Sequence, residues 1–351
     1  MIASKLNIGG VYSLIDVDQR FTQVLFDALC VHNIDMTIIT MKSFFDYIFS
    51  MDDEVLSKIC ENILPQIYSH INKLTIEQNS MELILTTSYP QLYSLSLVNF
   101  QEKLLFQYLK DHSILRDLLT NQITHLNIDI QNETTSELSK ISSNILILIL
   151  SLAKRLIHLN FCHMFSHRRA CISIYYIPKI SSMSSSLTEL KINVETFYDC
   201  LYFLDGRLGS LTKLIINVNK VPFEHIPSYI NCRKQLPKLK YFSLTLNNHA
   251  DIYEIHIIRL LRRMGNLEAL TLFLFLIQID SDYVDGIQLH NDILIYLPRL
   301  KKFTFSIHTG VIMKRIKIHL SSNEDIQNSF IGRGYGQVGS YVCTESLKSM
   351  T

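Results

Sequence analysis

Charge is scarce in this sequence. Asp, Glu, Lys and Arg make up 19% of its 351 residues, and apolar residues 48%. An average soluble protein carries about 25% charged residues. This balance excludes a chain that is disordered throughout, which would need the opposite composition. The two signs nearly cancel, at a net charge of +1. No long-range field can gather nucleic acid or an anionic membrane, and neither is expected as a partner. Cys-x-x-Cys is absent, and the seven cysteines are odd in number and scattered. They read as reduced residues of an intracellular protein, not as a disulfide frame. The N-terminus lacks a basic segment followed by an apolar run and a small-residue cleavage site, so no secretory signal is read. The most apolar runs, 145–150 and 270–279, fall far short of the roughly 20 residues a membrane helix needs. A soluble protein of the cytoplasm or nucleus is expected.

Catalytic motifs are missing as well. The sequence has no G-x-S-x-G, no H-R-D and no P-loop, and nothing marks a pocket with paired acid and base roles. Asp280, Asp282 and Asp285 cluster between repeats and read as loop residues. Gly334-x-Gly336-x-x-Gly339 satisfies a dinucleotide-binding pattern literally, but that pattern should follow a first strand, open a helix and precede an acidic residue by about twenty positions. Only about a dozen residues follow it, so it reads as a loop. His158, Cys162, His163, His167 and Cys171 are the densest candidate zinc ligands. Their spacing lacks C-x-x-C or H-E-x-x-H, and Arg168 and Arg169 would repel a cation. The expectation is a protein that is not an enzyme, with no catalytic residue, metal or cofactor. A metal-dependent enzyme built on the His/Cys cluster is the most distant alternative.

What the chain does have is a repeat. Leu92, Leu95 and Leu97 form L-x-x-L-x-L. The pattern returns at Ile71/Leu74/Ile76, Ile123/Leu126/Ile128, Leu156/Leu159/Phe161 and Leu187/Leu190/Ile192. It continues at Leu211/Leu214/Ile216, Leu239/Phe242/Leu244, Leu267/Leu270/Leu272 and Leu300/Phe303/Phe305. Successive middle positions are separated by 21 residues (Leu74 to Leu95) up to 33 (Leu126 to Leu159). That core at that period is the signature of a leucine-rich-repeat solenoid. The stretches between cores (101–119, 142–152, 196–204, 252–264 and 287–297) have helical apolar spacing. Strand alternating with helix predicts an α/β horseshoe of parallel inner strands and outer helices. Pro90, Pro237, Pro298, Gly209 and Gly265 punctuate the approach to strands. Ser142 or Ser143 is expected to cap a helix after a loop at 130–138, and 181–186 reads as another loop. Earlier in the chain, 34–38 reads as a degenerate strand, and 57–64 as a helix that Pro65 bends or ends. From Gly310 the pattern fades. Residues 314–320 read as one more strand and 332–339 as loop, with no polar capping unit after the last repeat.

In a strand, the neighbours of an inward residue point to the other face. The flanking residues are therefore the candidate partner-binding wall: Lys73, Ser94, Ser96, His125, Asn127, His158, Asn160, Glu189, Lys191, Lys213, Tyr241, Ser243, Thr271 and Lys302. Nearly all are polar, which predicts a solvent-accessible face of the kind repeat proteins use for protein ligands.

Leu14, Val17, Phe21, Val24, Leu25 and Ala28 share one face of a predicted helix. The run Ser13-Leu14 to Arg20-Phe21 resembles the last helix of an F-box, so the chain resembles an F-box protein with leucine-rich repeats. The family's earlier helices, with their Leu-Pro pair, have no counterpart upstream. The resemblance implies substrate recognition for a cullin-RING ubiquitin ligase, with a protein substrate on the concave wall. It implies binding to a Skp-type adaptor only where the missing F-box helices are present. The expected organisation is a partial F-box-like helix at 1–30, a solenoid at 31–309 and an irregular segment at 310–351, shortened at both ends relative to a longer relative. The alternative is a repeat scaffold, or a competitor for substrate, with no ubiquitin-ligase link.

Overall fold

A computed structural model describes residues 33–35, 40–43, 46–48, 53–131, 138–162, 171–174, 185–221, 236–246, 256–312, 319–332 and 338–342. The predicted F-box-like helix, His163, His167, Arg168, Arg169, Gly334, Gly336 and most of the predicted 314–320 strand lie outside these residues. The chain divides into two compact units. The first comprises Met1–Glu195 with Arg207–Leu211, and the second Thr196–Gly206 with Thr212–Thr351.

Each unit is built on parallel strands. In the first, β1 (Asn33–Asp35) pairs with β4 (Lys73–Glu77), followed in order by β5 (Ser94–Gln101), β6 (His125–Gln131), β7 (His158–Phe161) and β8 (Glu189–Thr196). Two short strands, β2 (Thr40–Ser43) and β3 (Asp46–Ile48), form a separate antiparallel pair. In the second unit β9 (Lys213–Lys220), β10 (Tyr241–Leu246), β11 (Ala269–Ile279) and β12 (Lys302–Ile312) pair in sequence order. The chain is thus α/β, with sequence neighbours lying side by side. Every predicted strand core falls in one of β4 to β12, and each strand begins at the residue before the middle apolar position of its motif.

The motif produces this arrangement through two effects. Its apolar positions are buried: Leu74, Leu95, Leu126, Leu159 and Leu190 in the first unit, and Leu214, Phe242 and Leu270 in the second, are sealed from water. Burying each such side chain contributes about 1.5–3 kcal/mol. The leading residue of each motif, from Ile71 to Leu267, is buried beneath the strand start. Backbone hydrogen bonds then lock successive repeats. The amides of Thr124 and His125 both donate to the Tyr93 carbonyl, and those of Ile157 and His158 to the Thr124 carbonyl. In the second unit, the amides of Glu268 and Ala269 donate to Lys240, and those of Lys301 and Lys302 to Glu268. Two donors on one acceptor satisfy backbone groups that would otherwise be lost where the chain turns into the strand.

Several local expectations are corrected. Helix Leu138–Leu152 starts upstream of Ser142 and Ser143, which are buried inside it instead of capping it. Ser142 donates its hydroxyl to the buried Glu102 carboxylate, and Ser143 donates to the Ser173 carbonyl at 2.6 Å. Both serines serve packed polar groups, a demand that the local sequence does not display. Of the two effects expected of Pro65, bending or ending its helix, ending is the one that the structure does not show. Asp53–Lys58 runs through a π-helical stretch, Ile59–Ile63, into Leu64–Ile67, with Pro65 in the first turn of that last segment. The wider turn removes the need for the amide that proline lacks. The 101–119 segment is two helices, Glu102–Asp111 and Ser113–Asn121, divided at His112, whose ring accepts from the Leu115 amide at 3.2 Å.

The end of the chain also differs from expectation. β12 continues past Gly310 to Ile312, and helix Asn323–Phe330 then follows. Its Ser322/Asp325 capping box fixes the start. Ile326 and Phe330 are buried, with the Phe330 ring stacked on Phe305 at 5.6 Å. The helix thus touches the last strand at Phe305, and Phe303 and Phe305 remain half-buried.

Candidate functional site: the open sheet face

Parallel pairing in register turns the scattered wall residues into rows. In the first unit Lys73, Ser94, His125, His158 and Glu189 are successive register partners, and so are Thr75, Ser96, Asn127, Asn160 and Lys191. Adjacent members are one strand apart, about 4.8 Å. In the second unit the rows are Lys213, Tyr241, Ala269 and Lys302, and Ile215, Ser243, Thr271 and Thr304. The sequence spreads the first row over more than a hundred positions, and the fold brings it within a few strand widths.

The first unit's row is chemically the denser. The rings of His125 and His158 stack at 5.7 Å between centroids, with planes 23° apart. Tyr93 meets His125 edge-on at 5.6 Å. His158 Nδ1 lies 3.3 Å from Glu189 Oε2, and His125 Nδ1 lies 2.9 Å from Thr124 Oγ1. Burial, then the neighbouring His158 and Lys73, hold the His125 imidazole below its usual range, while Glu189 pulls it up. In the second row Asn127 Nδ2 donates to Ser96 Oγ at 3.0 Å. Asn160 Oδ1 is buried and, among the described residues, accepts no hydrogen bond. Among the described residues neither Lys73 nor Lys191 enters an ion pair. The face therefore offers two lysine ammonium groups and two stacked imidazoles, with Glu189 already engaged.

Two predicted wall residues are not accessible. Ser94 is 9% and Ser243 7% exposed. Ser94 lies between Lys73 and His125 in register, and Ser243 between Ile215 and Thr271. Each short side chain is shadowed by longer neighbours contributed by other strands. The remaining wall residues are exposed or half-buried. In the second unit Lys213 Nζ sits 5.6 Å from the Tyr241 ring centroid, and Lys302 stands exposed on the last strand.

The sequence reading missed the position just before the wall. Tyr93 and Ile157, the first variable residues of their motifs, are 38% and 42% exposed and flank the histidine pair. In the second unit the equivalent position carries a charge ladder: Glu268 sits 3.2 Å from Lys240 and 2.7 Å from Lys301. Those two ammonium groups hold its carboxyl below the usual range. A second missed feature is β11, whose outward residues Phe273, Phe275, Ile277 and Ile279 are apolar and none of them buried. Burial alternates along this strand while its sequence is a continuous apolar run from Leu272 to Ile277, so hydropathy alone did not separate the two faces.

Among the described residues no group of three or more His, Cys, Asp or Glu could hold a metal ion. Of the proposed zinc cluster, Cys162 donates its thiol to Asn193 Oδ1 at 3.2 Å, and burial pushes that thiol up to about 12. Among the described residues no helix is long and apolar enough to cross a membrane. No protein-family model matches the chain, and no curated protein matches it.

Proposed function

We propose that the chain is a leucine-rich-repeat solenoid that binds proteins on its open sheet face, as the substrate-recognition part of an F-box ubiquitin-ligase receptor does. The observation that carries the reading is the register. Residues at one position of a repeat 21 to 33 residues long line up strand by strand while their apolar neighbours are buried. Such rows are the binding surface of repeat proteins. The mechanism is tethering: affinity is spread across the rows, and the chain performs no chemistry.

Two measurements test this. Purification of partners with the full chain, identified by mass spectrometry, should yield a bound protein that is lost on paired Glu189→Lys and Lys191→Glu substitution while the melting temperature holds. Retention of every partner by that variant would sink the wall assignment. For the ligase link, a version extended upstream with F-box helices should capture a Skp-type adaptor. If neither version does, the repeats serve as a scaffold or competitor outside ubiquitin transfer.

A further inference from the structure

We infer that the open face of the first unit takes an extended acidic segment of its partner protein, laid across β4 to β8 over Lys73, His125, His158 and Lys191. This rests on the protein-binding reading above and names the chemistry of the partner.

The spacing fits. Lys73 and Lys191 are four strands apart and, standing in different rows, two residues apart along the strand direction, so about 20 Å separates them. An extended segment of about seven residues covers that distance, with alternate side chains on one face about 6.7 Å apart. Acidic residues at alternate positions would then meet Lys73, the histidine pair and Lys191 in turn. Ser94, buried between Lys73 and His125, leaves a shallow step in the row. Tyr93 and Ile157 border the histidines and give an apolar residue next to the acidic run a surface to cover.

The charge balance adds a condition. At neutral pH the two lysines are opposed by Glu189 and by the exposed Asp35 of β1, which pairs beside β4. The groups facing the histidine pair are Lys73 from β4, Tyr93 from the turn before β5 and Glu189 from β8. The His125 ring, stacked on His158 at 5.7 Å and near Lys73, is disfavoured in its protonated form by both neighbours. A carboxylate laid over it offsets that repulsion, so binding an acidic segment and taking up a proton at His125 favour each other. The face gains positive charge as His125 takes up a proton, and affinity rises as pH falls.

The test uses the full chain and a fluorescein-labelled peptide of about seven residues with Glu alternating with Ser, read by fluorescence anisotropy at low salt. The control peptide carries Gln in place of Glu. The Glu peptide should bind about three- to tenfold more tightly near pH 5.5 than near pH 7.5, since an exposed ion pair changes affinity by up to about fivefold. The Gln peptide should show no such gain. His125→Gln with His158→Gln should abolish the pH dependence, and Lys73→Gln with Lys191→Gln should weaken binding at both pH values. Circular dichroism melts check that each variant folds. Equal binding of Glu and Gln peptides, or pH-independent binding by the wild type, overturns the inference. So does a single-stranded oligonucleotide of similar length that competes as well as the Glu peptide. Where a co-purified protein is lost on the Glu189/Lys191 reversal but the Glu peptide does not bind, the protein-binding reading stands and this inference alone fails.

Discussion

His125 concentrates the electrostatics of the open face in one side chain. Its folded-state proton affinity is depressed by burial first, then by electrostatic repulsion from His158 and Lys73. The unfolded chain therefore binds this proton more readily than the folded one. Stability contributed at this site is complete above the unfolded value of about 6.5 and declines as pH falls from there to the depressed folded value. His125→Gln should remove that part of the acid-side loss. Thermal melts at about pH 7.5 and about pH 5.5 should show a smaller difference for the variant than for the wild type. An equal difference would place the acid sensitivity elsewhere. Cys162 supports a second prediction: its thiol, held up at about 12 in contact with Asn193, should resist iodoacetamide in the folded protein and react on unfolding. Peptide mapping after native alkylation reads this directly. The outward direction of His125 was legible, since it precedes a middle leucine. Its degree of exposure was not. Ser94 is buried in register between Lys73 and His125, 21 and 31 residues away, and no local window contains both neighbours.

At the level of elements, polar and steric contacts between neighbours decide what periodicity leaves open. Helix Asn323–Phe330 escaped the repeat analysis because its buried face has only Ile326, Ser329 and Phe330. Its beginning was written in Ser322-x-x-Asp325, a capping box of the recognised form. The helix docks on helix Gly286–Asp292, where the Gly286 amide donates to Ser329 Oγ at 2.7 Å. A Cβ at Gly286 would lie 2.7 Å from both the Ser329 carbonyl oxygen and the Phe330 ring. Backbone cannot yield as a side chain tip can, so Gly286→Ala should cost about 1–3 kcal/mol by overpacking. Urea denaturation measures it, and a neutral result would mean that the helix docks less tightly than these distances require. A different element contact is tested by Ser142→Ala. It deprives the buried Glu102 carboxylate of a donor, and stranding such a group costs about 1–3 kcal/mol. Had Ser142 been only an exposed cap, the loss would be smaller and Glu102→Gln would not change it.

Across the whole molecule, strands pair with their sequence neighbours within each unit, so stability should be local to a unit. Repeat proteins hold together by intrinsic repeat stability and nearest-neighbour contacts, and openings spread in contiguous blocks. Leu126 in the first unit and Leu272 in the second are both fully buried. Truncating either to alanine should cost about 2–5 kcal/mol through lost burial and a residual cavity. Hydrogen exchange followed by mass spectrometry should then separate the two. Leu126→Ala should speed exchange in β6 and in its register partners β5 and β7 while leaving β10 to β12 close to wild type. Leu272→Ala should do the reverse, speeding β11 and its partners β10 and β12. If either substitution raised exchange uniformly from β4 to β12, the chain would be unfolding as one cooperative body. The nearest-neighbour account, and with it the repeat-solenoid reading of the energetics, would then have to be given up.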